Sequence, residues 1–259
     1  MTRFFADKTN ITDGLIKLTS EDAAHIRTLR LRPSELFIVC DGEGTDYIVK
    51  QGDRCCASRS REAQHLSPCF TAEIVETRPS LGEPTIHCSV YVAFMKGDRL
   101  DYAVQKSVEL GAARIILYPS ERCVSIPGDI AKKTTRLQRI ALETAKQSGR
   151  GRIPEVSSTE TFKSAVAEAS KADLPLFFYE DENETSLKTI LENSEFRIPN
   201  SELNDVSIMT GPEGGFAHHE AEHALSEGMH IISLGPRILR CETAPAAALA
   251  AIMYHTGNL

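Results

Sequence analysis

Val206-Ser207-Ile208-Met209-Thr210-Gly211-Pro212-Glu213-Gly214-Gly215-Phe216 passes from a β-rich apolar run into a glycine-rich turn, and a helical pattern over 219–227 follows it. Strand, tight loop and helix in that order make one unit of an α/β layer. The glycines permit close backbone approach and unusual dihedrals, so N–H and C=O groups there are able to grip a ligand at the carboxyl end of a strand. G-x-G-x-x-G and a Gly-Lys-Ser/Thr ending are both absent, which excludes the Rossmann and Walker fingerprints. Spacing alone leaves a ligand loop and a plain tight turn both open.

Working outward, Leu234-Gly235-Pro236-Arg237-Ile238-Leu239-Arg240-Cys241-Glu242-Thr243-Ala244 also joins a strand to a helix. Two such loops after neighbouring parallel strands converge on one crevice. From about Thr85 onward, strands are predicted at 86–94, 115–118, 176–179, 206–209 and 231–234. Helices are predicted between and after them, at 99–110, 131–147, 161–169, 187–192, 219–227 and 244–254. Gly111 and Gly228 serve as C-caps, Thr243 is the candidate cap of the last helix, and Pro245 is tolerated in its first turn. Residues 78–84, Arg-Pro-Ser-Leu-Gly-Glu-Pro, are the expected linker. Before them, 37–40 and 47–49 flank Asp41-Gly42-Glu43-Gly44, a hairpin signal, and 70–75 is a third β-rich run. A short helix near Ser20 takes its cap from Thr19 or Ser20 and its first-turn charge from Glu21 and Asp22. A small β-barrel over 1–76 followed by an α/β domain with parallel strands over 77–259 is the expected organisation.

The chain has 259 residues, 41% hydrophobic and 25% charged, which sets aside disordered and collagen-like classes. No signal-peptide core and no apolar run of membrane-spanning length is present, so a cytoplasmic protein without a membrane partner is expected. Seven cysteines, an odd and scattered set with Cys55 and Cys56 adjacent, are read as reduced thiols. The net charge of -7 hides an uneven distribution: -2 over residues 1–84, +6 over 85–152 and -11 over 153–259. A basic middle block in an acidic protein suits a local phosphate-binding face, because binding follows local potential and counterion release.

Gly211 to Gly215 with Glu220, then Leu234-Gly235, Arg237-Ile238-Leu239-Arg240 and Glu242-Thr243-Ala244, resemble the paired C-terminal motifs of the RsmE-type 16S ribosomal RNA uridine-N3 methyltransferases. Arg30-Leu31-Arg32, Gln105-Lys106-Ser107-Val108-Glu109-Leu110-Gly111 and Ala145-Lys146-Gln147-Ser148-Gly149-Arg150 before Pro154 are similar to further segments of that family, in the same order. Cys241 stands where a threonine is usual, Pro245 follows the Glu-Thr-Ala, and Lys146 takes a commonly acidic position. The resemblance implies a PUA-like N-terminal barrel that helps hold RNA and a C-terminal SPOUT domain with a deep trefoil knot. It also implies a homodimer, S-adenosyl-L-methionine as cofactor, and 16S ribosomal RNA as substrate, within an assembled or assembling small subunit. It places Gly211, Pro212, Glu213, Gly214, Leu234, Gly235, Ile238, Leu239, Thr243 and Ala244 around the cofactor.

On that reading Arg240 is the candidate catalytic cation. Uracil N3 attacks only once its proton leaves, and a fixed cation then stabilises the charge that spreads to O2 and O4. Glu242 is the candidate proton acceptor, or else a carboxylate favouring the N-terminus of the last helix. Arg27, Arg30 and Arg32 on the barrel, and Arg136, Arg139, Lys146, Arg150 and Arg152 in the basic block, are candidate RNA contacts, with Lys132 and Lys133 in the same run. Solvated-face and salt-bridge roles compete for each. His219-Glu220-Ala221-Glu222-His223 fits the H-E-x-x-H zinc pattern, but no third ligand stands at a set spacing and no metal is expected. A SPOUT enzyme acting on another RNA nucleoside, a non-catalytic RNA-binding protein and a zinc hydrolase are the alternatives.

Overall fold

The computed structural model describes residues 2–52, 70–192 and 204–259. The chain divides into two compact units, Met1–Glu83 with Ala145–Ile153, and Pro84–Thr144 with Pro154–Leu259. Cys55 and Cys56 lie outside the described residues. Cys40, Cys88, Cys123 and Cys241 are free thiols.

The first unit is a six-stranded sheet in the order β1-β4-β5-β6-β3-β2. Its strands are β1 (Arg3–Phe5), β2 (Ile11–Thr12), β3 (Leu15–Leu18), β4 (Phe37–Cys40), β5 (Thr45–Gln51) and β6 (Phe70–Pro79). Pairing is antiparallel except between β1 and β4. The predicted β4–β5 turn forms because Asp41 Oδ1 accepts from Glu43 N at 2.8 Å and Thr45 N at 3.0 Å, while Gly42 and Gly44 take φ of 78° and 107°. Helix α1 (Ser20–Thr28) starts as read, with Thr19 Oγ1 accepting from Asp22 N at 3.1 Å. Phe4, Ile16, Phe37, Val39, Val49 and Ala72 make its core.

Residues 78–84 are not a free linker. β6 runs to Pro79, Ser80 bonds the Asp46 carboxylate, and Glu83 Oε1 accepts from Gly151 N at 2.7 Å and Arg152 N at 3.0 Å. That carboxylate binds the segment after the long helix α3 (Ile130–Ser148) into this unit.

The second unit is a parallel six-stranded sheet in the order β12-β10-β11-β7-β8-β9. It follows the chain as β7 (His87–Ala93), α2 (Arg99–Glu109), β8 (Arg114–Tyr118), α3 (Ile130–Ser148), β9 (Glu155–Ser158), α4 (Phe162–Ala169), β10 (Leu174–Phe178), α5 (Leu187–Glu192), β11 (Asp205–Thr210), α6 (His218–Ser226), β12 (His230–Ile232) and α7 (Ala244–His255). β7, β8, β10 and β11 are buried almost throughout, as continuous apolar strands covered on both faces must be. Gly111 (φ 98°) and Gly228 (φ 89°) turn the chain just after α2 and α6, as predicted. β9 was not anticipated: its polar Glu-Val-Ser-Ser is an edge strand, held by Gln138 of α3, which accepts from Val156 N at 2.8 Å and donates to Pro154 O at 3.0 Å. Helix α7 lays Pro245, Ala248, Leu249, Ile252 and Met253 against α2, α5, β7 and β11. Thr243 precedes it without a side-chain capping hydrogen bond, so the expected cap is not made.

Candidate functional site

Strand register sets the site. Phe178 at the end of β10 lies opposite Thr210 at the end of β11 and Ile232 at the end of β12, so three carboxyl ends stand side by side. The loops that leave them line one cleft of about 730 Å³, within the size range of small-molecule sites. Of the residues expected around a cofactor, Gly211, Pro212, Glu213, Gly214, Leu234, Gly235, Ile238, Leu239 and Ala244 line it, as do Arg240 and Glu242. Thr243, next to Ala244, does not appear in its lining.

The loop after β11 is built tightly. Phe216 is 1% exposed, stacks 4.2 Å from Phe177, and donates its N–H to Glu180 Oε1 at 3.0 Å. The buried Tyr118 hydroxyl donates to Thr210 O at 2.6 Å. A Cβ on Gly211 would meet the Phe216 ring at 3.1 Å, one on Gly214 would meet Arg122 at 2.9 Å, and one on Gly215, at φ +68°, would strike the Glu180 carboxylate. Space is tight for a side chain at Gly211 and Gly214, and at Gly215 both space and the positive φ require glycine. The loop after β12 differs: nothing lies within 4 Å of a Cβ on Gly235, and Ile238 is 86% exposed.

Charge converges between the loops. Glu213 Oε1 accepts from Lys96 N at 2.8 Å and from Arg99 Nη1 at 2.9 Å, and Arg99 Nε lies 4.0 Å from Glu242 Oε2. Burial pushes the Glu213 carboxyl up, but the amide donors and Arg99 outweigh it and hold it below the usual carboxylate range. Glu242 is likewise held low against burial, by its own N–H, the Cys241 thiol, Arg99 and Arg240. Cys241 is pushed up to about 12 by burial, then by donation to Glu242 and by the two carboxylates, so it is a thiol donor and not a thiolate.

Arg99, Glu180, Glu182 and Asn183 also line the cleft and were not singled out from the sequence. They come from the start of α2 and from the loop after β10, whose composition carries no glycine signature.

The other predicted residues sit as follows. Arg27, Arg30 and Arg32 are exposed on the first unit. Arg136 grips Asp101 with both terminal nitrogens, Nη1 at 2.6 Å, and Lys133 joins the same carboxylate at 3.3 Å. Arg139 is exposed and Lys146 half-buried. Arg152 is exposed and donates to Glu43 O at 3.2 Å. Arg150 corrects the expectation of an RNA-facing side chain: it is 3% exposed and forks onto Glu83, Nε at 3.0 Å and Nη2 at 2.9 Å. In H-E-x-x-H, Glu220 is 3% exposed and takes donors from Ala217 N, Ser120 Oγ and Glu121 N. It clasps the start of α6. His219 pairs with Glu121 at 3.2 Å and the His223 ring lies against Phe162. Among the described residues no group of three His, Cys, Asp or Glu side chains is placed to hold a metal ion, and no helix is long and apolar enough to cross a membrane.

Comparison with known proteins fits this geometry. A profile of the RNA methyltransferase domain family matches residues 82–253. Ribosomal RNA small subunit methyltransferase E of Bacillus subtilis is 30% identical, over 99% of this chain and 97% of its own. The protein of the same name from Rickettsia conorii is 34% identical, over 96% and 94%. The crystal structure of a ribosomal RNA small subunit methyltransferase E from Neisseria gonorrhoeae bound to S-adenosyl methionine superposes with a TM-score of 0.78 at 28% identity, over 98% of this chain and 97% of that one. The cleft between the glycine-rich and arginine-bearing loops thus lies in the matched domain, and the chain belongs to the RNA methyltransferase family, alongside the proteins named ribosomal RNA small subunit methyltransferase E.

Proposed function

We propose that this protein transfers the methyl group of S-adenosylmethionine to N3 of a uridine in 16S ribosomal RNA, in the cytoplasm, without a metal. The observation that carries the reading is the convergence of the two family loops on one cleft. The S-adenosyl methionine bound to the Neisseria gonorrhoeae relative and the shared name of the curated relatives support it. The residues present fit such a cofactor. The volume suffices, and Gly211, Gly214, Gly215 and Gly235 bring backbone without side chains to its wall.

When bound, S-adenosylmethionine supplies an electrophilic methyl group. This chain's residues then have three tasks. Gly211 to Gly214, Leu234, Gly235, Ile238, Leu239 and Ala244 hold the cofactor, with Thr243 adjoining. Arg240 presents its fork of donors to the carbonyl edge of uracil, where charge develops as the N3 proton leaves. Glu242, held ionised, is the candidate acceptor for that proton, and a carboxylate just before α7 also suits that helix's positive end. Arg27, Arg30, Arg32, Arg139 and Arg152, exposed, are the proposed phosphate contacts, with Arg136 and Lys146 as further members. A trefoil knot in the second unit, closure of the first into a PUA-like barrel, and a homodimer belong to the same reading, as does a substrate within an assembled or assembling small subunit.

The test is mass mapping of methylated nucleosides in ribosomal RNA from cells lacking and regaining the protein. The reading predicts one 3-methyluridine of the small subunit lost and restored. A different nucleoside would keep the family and change the acceptor. Calorimetry showing no S-adenosylmethionine binding would end the reading.

A further inference from the structure

Arg99, the first residue of α2, touches both cleft loops at once, which no other described cation in the structure's ion pairs does. Its Nη1 donates to Glu213 of the loop after β11, and its Nε lies near Glu242 of the loop after β12. Glu242 Oε2 also accepts from the Cys241 thiol at 3.2 Å, and Glu213 Oε1 takes the Lys96 amide as well. Glu213 Oε2 is left buried with no hydrogen-bond partner.

We infer that Arg99 is a positioning residue: it ties the carboxylates of Glu213 and Glu242 to the start of α2 and so fixes the two loops against each other. This rests on the reading of the cleft as a methyl-transfer site. Arg99 itself is 43% exposed in its side chain, so its effect is one of placement and local field and not of bulk stability. The charged groups around the two carboxylates are Arg99 and Arg240, and the thiols of Cys241 and Cys123, kept neutral by burial, are the other titratable neighbours. Removing Arg99 leaves Arg240 alone as the cation beside Glu242, and no cation beside Glu213.

The test uses the full-length protein and the variants Arg99→Ala and Arg99→Lys. Carboxyl-carbon NMR of the ligand-free proteins follows both glutamates through a pH titration, and methylation of small-subunit RNA gives kcat and KM across pH. Arg99→Ala is expected to raise the titration of both carboxyls, move the acidic limb of kcat upward, and lower kcat about tenfold to a hundredfold by misplacing the loops. Arg99→Lys returns the cation and so the titrations, while recovering only part of kcat because it lacks the fork. Unmoved titrations in Arg99→Ala, or an unmoved acidic limb with a lower melting temperature, overturn the inference. A parent protein that binds no S-adenosylmethionine but shows the titration shifts would instead sink the functional reading and leave the clasp standing.

Discussion

The two loops that face each other across the cleft are made in opposite ways. The loop after β11 is rigid by construction: Phe216 plugs the core, Glu180 and Glu213 collect backbone N–H groups, and three glycines sit where any Cβ would meet a neighbour. The loop after β12 carries Ile238 almost fully in solvent and Gly235 with open space around it. Its described side-chain anchors are the contact of Ser233 Oγ with Thr185 O at its start and those of Glu242 with Cys241 and Arg99 near its end. One wall of the site is preorganised before anything binds. The other carries the proposed reactive cation, Arg240, on a loop with few side-chain contacts. A site divided this way admits a large substrate through its looser side while keeping fixed the dipoles that orient the cofactor.

The largest effect tests the looser wall. Arg240→Ala is expected to lose about two to four orders of magnitude in turnover, as removal of an oxyanion-stabilising donor does, with S-adenosylmethionine affinity and oligomeric state kept. Single-turnover methylation together with calorimetry checks it, and a near-parent rate would remove Arg240 from the chemistry. Next comes the rigid wall. Gly215→Ala must place a side chain at φ +68° against Glu180, which already accepts the Phe216 N–H. A loss of about 1–3 kcal/mol of stability is expected from strain and the broken hydrogen bond, and cofactor affinity should fall with it. Gly235→Ala meets only dihedral strain, at φ +104° in open space, and should cost about 1 kcal/mol. Equal losses in the two variants, by urea unfolding, would erase the proposed contrast.

What the sequence made legible follows the same division. Gly211 to Gly215 announced itself because glycine is required there by local geometry, and the flanking strands β11 and β12 announced themselves as apolar runs. The second loop, with one glycine, is legible as a strand-to-helix connection, but the roles of its residues come only from the family resemblance, since the exposed Ile238 and half-buried Leu239 have no local rule behind them. Arg99 and Glu180 were invisible because they reach the cleft from elements 114 and 36 residues away from their partners in the chain. Arg150 was misassigned for a related reason. A run of positive charge does not reveal which member folds inward, and Glu83, which holds it, lies 67 residues earlier. The strands β3 and β9, Leu-Ile-Lys-Leu and Glu-Val-Ser-Ser, are as short as the predicted β4 but lack its continuous apolar run, so they do not separate from loop.

A smaller effect sharpens the comparison at Ile238. Because it is 86% exposed, Ile238→Ser should leave the stability of the ligand-free protein within about 0.5 kcal/mol of the parent. If the looser wall closes over bound cofactor, the same change weakens S-adenosylmethionine binding by about 1 kcal/mol through lost apolar burial. Thermal unfolding and calorimetry on one preparation separate the two. A destabilised ligand-free protein would show that the loop is packed after all.

The smallest effect is electrostatic and belongs to Glu213, the carboxylate of the rigid wall. Its folded-state titration is lowered because the Lys96 amide, its own amide and Arg99 outweigh the opposing burial. A depressed carboxyl contributes stability that is fully present above its unfolded titration range and is lost as pH falls through the folded one. Parent and Glu213→Gln should therefore differ most near neutral pH, the parent being more stable, and the gap should close as pH drops below the ordinary glutamate range of 4.5. The gap is small because Arg99 is 43% exposed and water screens the pair. Urea unfolding of both proteins across that range measures it. A gap that persists unchanged in acid would mean that Glu213 supports its loop by shape and hydrogen bonding alone. A gap that widens would mean that burial, not the donors, governs this carboxyl, and that the rigid wall stores strain which a bound ligand relieves.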